Sequence, residues 1–238
     1  KWYLDCVTDA GDATLVYDGA LRWGPLRLQF ASVLDEAGGA IRARNSLAAH
    51  AAPALDDGTL RWASEALDDS GEWTADASAV HETVYRTDSG SVEWHCVMPR
   101  ARVRLNGRDG LGYAERLVCT VPPWKLPLRT LLWGRFLCDR EWIVWIDWIG
   151  DSPRRIVYRN GCAVETATIA DDSIEFRDGA RLTFDRSRVL RSGRLGTHAL
   201  AELPGVRHTF PARLLDLDET KWRSRARLTG PGLPSVEG

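Results

Sequence analysis

The segment GLGYAERL, residues 110–117, places a tyrosine and a glutamate after two glycines in a run typical of a β-strand. Side chains alternate between the two faces of a strand, so Tyr113 and Glu115 share a face. If that face points into an apolar interior, burial without a cationic partner raises the pKa of a carboxyl group. Glu115 would then stay protonated near neutral pH and could act as a general acid. The alternative is a Glu115 that faces outward or pairs with an arginine.

Indole side chains could supply the surroundings of such an acid. The segment LLWGRF places Trp133 and Arg135 on one face of a later strand. In the following segment WIVWIDW, Trp145 and Asp147 share one face and Trp142 lies on the other. A strand with indoles on both faces would expose a large apolar area on a solvent-facing sheet. It therefore lies between two layers or lines a ligand cavity.

Other residues with catalytic potential rank below Glu115. Asp147 could be a second carboxylate in the cavity, and Asp5 alternates with Tyr3 near the start of the chain. His95 has no H-x-H or H-E-x-x-H motif around it, so we predict no metal site. Nucleophile-elbow, P-loop and dinucleotide-binding motifs are absent from the sequence, and we predict no cofactor.

The elements that must position these residues are short strands. Alternating or apolar runs recur between turn signals from Trp2–Thr8 to Lys221–Leu228, and they include Val206–Phe210 and Arg213–Leu217. This spacing predicts an all-β, antiparallel fold. Hairpin connections are predicted at four pairs of turn residues: Asp18-Gly19, Asn106-Gly107, Asn160-Gly161 and Asp178-Gly179.

A proline-rich segment divides the chain. The segment VPPWKLP, Val121–Pro127, contains three prolines, which remove ladder donors and hold the backbone extended. We therefore predict an N-terminal β unit over residues 1–121, a connector over 122–127 and a C-terminal β unit over 128–238.

Composition excludes several classes of partner. The net charge of −2 gives no field that would attract nucleic acid. Five widely spaced cysteines without a C-x-x-C pair argue against a disulfide framework and a structural zinc site. No apolar run approaches the roughly 18 to 20 residues that span a bilayer. We expect a cytoplasmic location, and loose association with the inner membrane stays open, as does the oligomeric state.

Four segments in order resemble a known group of proteins. KWYLDCVTDAG, GLGYAER, the Trp133-Gly134-Arg135 triplet and ETKWRSRARL are similar to segments of the carotenoid 1,2-hydratase (hydroxyneurosporene synthase) and AttH-like group. In the last segment, Trp222 stands where the group has an aromatic residue. The acid in the second segment is Glu115 where the group has aspartate, and the asparagine that follows it in the group is missing.

The resemblance implies two lipocalin-like (calycin-type) antiparallel β-barrel units in tandem. It also implies a hydratase in which Glu115, assisted by Tyr113, protonates an isolated alkene of an isoprenoid or polyene. Water then adds to the tertiary carbocation, and related isomerisation or cyclisation would begin in the same way. The expected partner is an apolar small molecule. The candidate substrate-binding residues are Trp2, Tyr3, Trp133, Arg135, Trp145, Asp147 and Trp222.

Two alternatives use the same apolar cavity without an acid. One is a non-catalytic, lipocalin-like binding protein for an apolar lipid or isoprenoid. The other is a pericyclase that only shapes its substrate. Both predict that Glu115 can be replaced without loss of function.

Overall fold

The computed structural model describes residues 1–185, 188–194, 216–231 and 233–238. Nearly all regular structure there is antiparallel β-strand, which confirms the predicted all-β, antiparallel class. One 3-10 turn, Pro123–Lys125, lies inside the predicted connector. The predicted strand Val206–Phe210 and residues 213–215 of the predicted strand Arg213–Leu217 lie outside the described residues.

Ten strands form the first sheet: β1 (Trp2–Val7), β2 (Ala13–Trp23), β3 (Leu26–Ala37), β4 (Ala40–Ser46), β5 (Ala54–Asp56), β6 (Thr59–Ser64), β7 (Asp69–Ala75), β8 (Val80–Thr87), β9 (Gly90–Leu105) and β10 (Arg108–Cys119). Their order is β4-β3-β2-β1-β10-β9-β7-β6-β5, with β8 also paired to β9. The first and last strands of the segment, β1 and β10, are therefore neighbours at the centre of the sheet.

The later strands form three smaller sheets. The second sheet contains β11 (Leu128–Leu137), β12 (Trp142–Gly150), β13 (Arg154–Arg159) and β14 (Cys162–Ala163) in sequence order. The third contains β15 (Thr166–Ile169), β16 (Ser173–Phe176), β17 (Arg181–Phe184), β20 (Ala226–Gly230) and β21 (Leu233–Glu237). The last is a ribbon of β18 (Arg188–Arg194) and β19 (Asp218–Arg223).

Two glycines allow β1 and β10 to approach closely. A Cβ added to Gly112 would lie 2.1 Å from the carbonyl oxygen of Asp5, and one added to Gly110 would lie 2.3 Å from that of Val7. The pairing of β10 with β9 shifts register just after Gly112. A register shift of this kind is typical of a β-bulge, and the predicted bend at these glycines stays a prediction. The backbone of β1 closely approaches the two glycines. From the sequence, the glycines could have served either a bend of the strand or the approach of a substrate.

A hydrophobic core joins strands from both sides of the connector. Its buried members include Tyr3, Trp94 and Tyr113 from the first sheet, and Val144 and Ile146 from β12 of the second. The described sheets themselves do not cross residues 122–127. The predicted domain boundary at this connector stays a prediction.

The opposite face of β12 belongs to a different core. Ile143 and Trp145 pack there with residues of the third sheet, among them Ile174 and Leu182. Strand β12 thus lies between two apolar layers, which was the first of the two placements that its indoles allowed.

One sequence-based expectation needs correction, and another is not confirmed. Asp18-Gly19 is not a turn, because both residues lie inside β2, and the ring of Phe30 fills the space beside Gly19. The pairings among the described residues close no barrel, since β4 and β5 remain the two edges of the first sheet. The tandem lipocalin-like arrangement stays a prediction.

Candidate active site

Three strands each contribute two residues, spaced i and i+2, to one cluster. In the register of β1 and β10, Tyr3 is opposite Glu115 and Asp5 is opposite Tyr113. Directly opposed residues project from the same face of a sheet. The six residues are Tyr3 and Asp5 from β1, Tyr113 and Glu115 from β10, and Trp133 and Arg135 from β11.

Glu115 is buried, and its hydrogen bonds converge on one carboxyl oxygen. The Tyr113 hydroxyl donates to Oε2 at 2.8 Å, and the Trp133 indole Nε1 donates to the same atom at 3.1 Å. The indole of Trp94 donates to Oε2 as well. Within the described part of the chain, no ion pair or hydrogen bond reaches Oε1. Glu115 therefore does not face outward, and no described arginine pairs with it.

These surroundings favour the neutral carboxylic acid. Burial raises the pKa of Glu115 above its ordinary value, and the hydrogen bonds from Tyr113, Trp94 and Trp133 and the charge of Lys1 oppose this only in part. An Oε2 that already accepts three hydrogen bonds has no room for a proton. The acidic proton therefore belongs on Oε1.

Aromatic rings surround the carboxyl group. The ring centroid of Tyr3 lies 4.7 Å from that of Trp133, 5.1 Å from that of Tyr17 and 6.1 Å from that of Tyr113. Tyr113 and Trp133 are 5.9 Å apart in an edge-on arrangement. Such rings can face a cation, and each would contribute on the order of 0.5–2 kcal/mol when water is excluded.

Asp5 is the second buried carboxyl group of the cluster. Its exposed fraction is 0%, and its Oδ2 accepts a hydrogen bond from Arg135 Nε at 2.6 Å. Its Oδ1 is buried and has no hydrogen-bond partner in the part of the chain that the structure describes. Arg135 keeps a side-chain exposure of 18%, so it lies between Asp5 and the edge of the cluster.

Four predicted site residues are not brought to Glu115. Trp2 is next to Tyr3 in β1 and therefore projects to the other side of the sheet, where Arg116 lies 5.7 Å above its ring. Trp145 faces the third sheet and stacks on Phe184.

Asp147 and Trp222 are the other two. Asp147 shares the Trp145 face of β12 and pairs with Arg155. Trp222 lies on the β18–β19 ribbon, opposite Val189, and is 41% exposed. These placements follow from strand alternation and from pairings that the sequence does not reveal.

Sequence reasoning missed two residues of the site, Trp94 and Tyr17. Trp94 alternates with Val92 and Cys96 on the buried face of β9, and this apolar alternation was the available signal. Tyr17 is opposite Tyr3 in the pairing of β1 with β2. Only the strand order could have placed either residue beside Glu115.

The surface clefts of the described residues lie apart from this site. Two clefts formed by described residues have volumes of about 780 and 550 Å³, and neither is lined by Glu115. Tyr17, Trp133 and Arg135 are half-buried and form the accessible side of the site.

In the described ranges, no three His, Cys, Asp or Glu residues are grouped so that they could hold a metal ion. His95 stacks on His81 with ring centroids 4.2 Å apart.

The fold and this site define an all-β protein with a buried carboxyl group of raised pKa among aromatic rings. Among solved structures, the chain is similar to kievitone hydratase from Nectria haematococca, with a TM-score of 0.57 and 10% sequence identity. The match covers 100% of this chain and 85% of that chain, and it shows a shared fold. No protein-family model and no curated protein matches the sequence. Within the described residues, no helix has the length and apolar character needed to cross a bilayer.

Proposed function

We propose that this protein is a hydratase that adds water to an alkene of an isoprenoid or polyene, with Glu115 as the general acid. The observation that carries the proposal is the environment of Glu115. This residue is buried, accepts three hydrogen bonds on Oε2 and forms no ion pair with any described residue. The fold shared with a hydratase supports the reaction class, and the segments resembling carotenoid 1,2-hydratases support the substrate class.

The reaction begins with transfer of the Oε1 proton of Glu115 to one carbon of the alkene. The other carbon becomes a tertiary cation, which the rings of Tyr3, Tyr113 and Trp133 stabilise through their π faces. Water adds to the cation and loses a proton, so that the product is a tertiary alcohol and the enzyme regains one proton. Loss of a different proton from the same cation would give an isomerised alkene, and attack by a second alkene would give a ring.

The substrate reaches Glu115 past the half-buried rings of Tyr17 and Trp133, after these rings rotate. Its apolar character makes a membrane its source, and loose association with the inner membrane from the cytoplasmic side is part of this proposal. The site as described takes no metal and no organic cofactor for this chemistry, because the acid, the rings and water supply every step.

The test compares Glu115→Gln with the wild-type protein. Mass spectrometry first identifies any prenyl chain or polyene that co-purifies, and geraniol and neurosporene serve as probes. Glu115→Gln should still bind the probe but lose at least about 100-fold in kcat, since the general acid is gone. Glu36→Gln is the matched control, because Glu36 is also a buried glutamate but pairs with Arg223 away from the site.

A lipid-binding protein would behave differently. In that case a phospholipid or fatty acid co-purifies, and neither substitution changes probe binding or produces a difference in turnover. The same result would exclude the hydratase.

A further inference from the structure

Asp5 has no role in the proton transfer described above, and it is the second buried carboxyl group of the cluster. It is completely buried, and its Oδ1 makes no hydrogen bond of good geometry among the described residues, although burial and the neighbouring Asp5 raise the pKa of the Tyr3 hydroxyl. Buried polar atoms are almost always hydrogen-bonded, to protein or to bound water. The unpartnered oxygen therefore points to a polar molecule that binds there during function.

The pairing with Arg135 does not account for Oδ1. The contact is made through one nitrogen and one oxygen, Arg135 Nε and Asp5 Oδ2. The buried Asp147 of the same protein accepts hydrogen bonds on both oxygens. Arg155 Nε donates to Oδ1 at 3.3 Å, and a terminal nitrogen of Arg155 donates to Oδ2 at 3.1 Å. Two-point pairing is the geometry that arginine favours with a carboxylate. The one-point pair leaves the second oxygen of Asp5 without a hydrogen bond among the described residues.

The position of Asp5 relative to Glu115 gives this acceptor a use. Asp5 is opposite Tyr113 across the strand pair, and Tyr113 donates its hydroxyl hydrogen to Glu115. An alkene lying against the Tyr113 ring would have the proton donor on one side and Asp5 on the other. Asp5 is paired with the Arg135 guanidinium, whereas the groups that hydrogen-bond to Glu115 are uncharged.

We propose that Asp5 is a second catalytic residue, whose Oδ1 holds the attacking water and accepts its proton. The inference rests on the proposed hydration reaction and assigns the base that this reaction lacked.

Atoms and charges balance across the two carboxyl groups. The O–H bond of Glu115 breaks as the π electrons of the alkene form a C–H bond with its proton, which leaves a carbocation and a Glu115 carboxylate. The water oxygen then forms the C–O bond, and one of its O–H bonds breaks as its proton moves to Asp5 Oδ1. A protonated alcohol is a very strong acid, so a carboxylate can accept its proton. Proton release from Asp5 and uptake by Glu115 through solvent restore both groups.

The experiment separates protonation of the alkene from addition of water. Wild-type protein and variants are incubated with geraniol or neurosporene in D₂O, and mass spectrometry measures two products. One is the tertiary alcohol, and the other is recovered alkene that carries deuterium on carbon. Asp5→Asn should lower alcohol formation by at least about 100-fold while deuterium still enters the alkene, because Glu115 still forms the cation. Glu115→Gln should lose both products.

Asp69→Asn is the matched control. Asp69 is another buried aspartate that pairs with an arginine, Arg44, and it lies outside the cluster. This variant should form both products. If Asp5→Asn alone fails to fold, the double variant Asp5→Asn/Arg135→Gln removes both charges and avoids an unpaired buried guanidinium. The same loss of alcohol with retained deuterium is expected from it.

Three results would overturn the assignment of Asp5. Asp5→Asn could form alcohol at the wild-type rate, or it could lose alcohol and deuterium together as Glu115→Gln does. A crystal structure of the wild-type protein could show Oδ1 bonded only to Arg135 or to the Tyr3 hydroxyl, with no water or ligand oxygen in reach. The first two results would still be consistent with Glu115 as the general acid. If the proposed function itself is wrong, Glu115→Gln will also form the same products as the wild-type protein.

Discussion

Two buried carboxyl groups lie in one cluster, and their partners give them different chemistry. Glu115 accepts hydrogen bonds from a tyrosine and two indoles, none of which carries a charge. Asp5 is paired with the guanidinium of Arg135. Desolvation therefore acts on Glu115 with no cation of the described chain in contact, and it raises the pKa of this group.

This difference predicts how stability depends on pH. The folded protein holds the Glu115 proton more tightly than the unfolded chain does, so this contribution to stability is complete below the ordinary pKa of 4.5. It is lost as pH rises through the higher pKa of the folded state. The free energy of unfolding of the wild-type protein should therefore fall relative to that of Glu115→Gln, by at most about 1.4 kcal/mol per pH unit within this window. Urea unfolding of both proteins across the acidic to neutral range measures the difference. A difference that does not change with pH would mean that Glu115 is not desolvated.

At the same scale, the sequence predicts what is local. Alternation along single strands placed Tyr113 with Glu115, Trp133 with Arg135, and Tyr3 with Asp5. It could not predict that Asp5 pairs with Arg135, because the two residues are 130 residues apart in the chain. It could not identify Trp94 either, since only the pairing of β9 with β10 brings this indole to Glu115.

The pair of strands β1 and β10 is the element that assembles the site. Their close approach depends on Gly110 and Gly112, where a Cβ would overlap carbonyl oxygens of β1. The Gly-x-Gly pattern predicted a bend or a close approach. It could not predict that β1 is the neighbour, because the two strands are separated by about a hundred residues of chain.

Gly112→Ala tests this element. A methyl group 2.1 Å from the Asp5 carbonyl oxygen would push β1 away from β10 and displace Asp5 from Arg135. We expect a loss of stability of about 1–3 kcal/mol or more, as for other substitutions that overpack a core. Thermal unfolding measures it, with Gly38→Asn as the control. Nothing lies within 4 Å of a Cβ at Gly38, and asparagine tolerates its φ of 56°. Equal stability of the two variants would contradict a steric role for Gly112.

Turns illustrate the limit of local signals at the scale of elements. Asn106-Gly107 and Asn160-Gly161 have positive φ at both residues, as hairpins of this type require, and these predictions are confirmed. Asp18-Gly19 carries the same kind of signal but continues β2. There the glycine makes room for Phe30, and the buried Asp18 carboxylate accepts the Trp62 indole N–H.

At the scale of the whole molecule, one core spans both predicted units. Val144 and Ile146 of β12 belong to the same buried cluster as Trp94 and Tyr113. The site itself takes Trp133 and Arg135 from beyond the connector. The sequence predicted the all-β class from short alternating runs. It did not predict that the parts share a core, because periodicity describes single strands and carries no information on which faces meet.

The shared core predicts cooperative unfolding. Neither of the two predicted units, 1–121 and 128–238, can unfold without exposing apolar residues of the other unit. We therefore expect a single unfolding transition in urea. Far-UV circular dichroism and tryptophan fluorescence should give coincident curves. Two separated transitions would show that residues 1–121 and 128–238 are independent in stability, and the site would then not depend on a common core.

The central claim is that Glu115 carries its proton at neutral pH, ready for transfer. Infrared difference spectroscopy of the wild-type protein against Glu115→Gln measures this directly, because a protonated carboxyl group has a C=O stretch well separated from the bands of a carboxylate. We predict a carboxylic acid band at neutral pH that is present in the wild-type protein and missing from Glu115→Gln. A difference spectrum that contains only carboxylate bands would contradict the account.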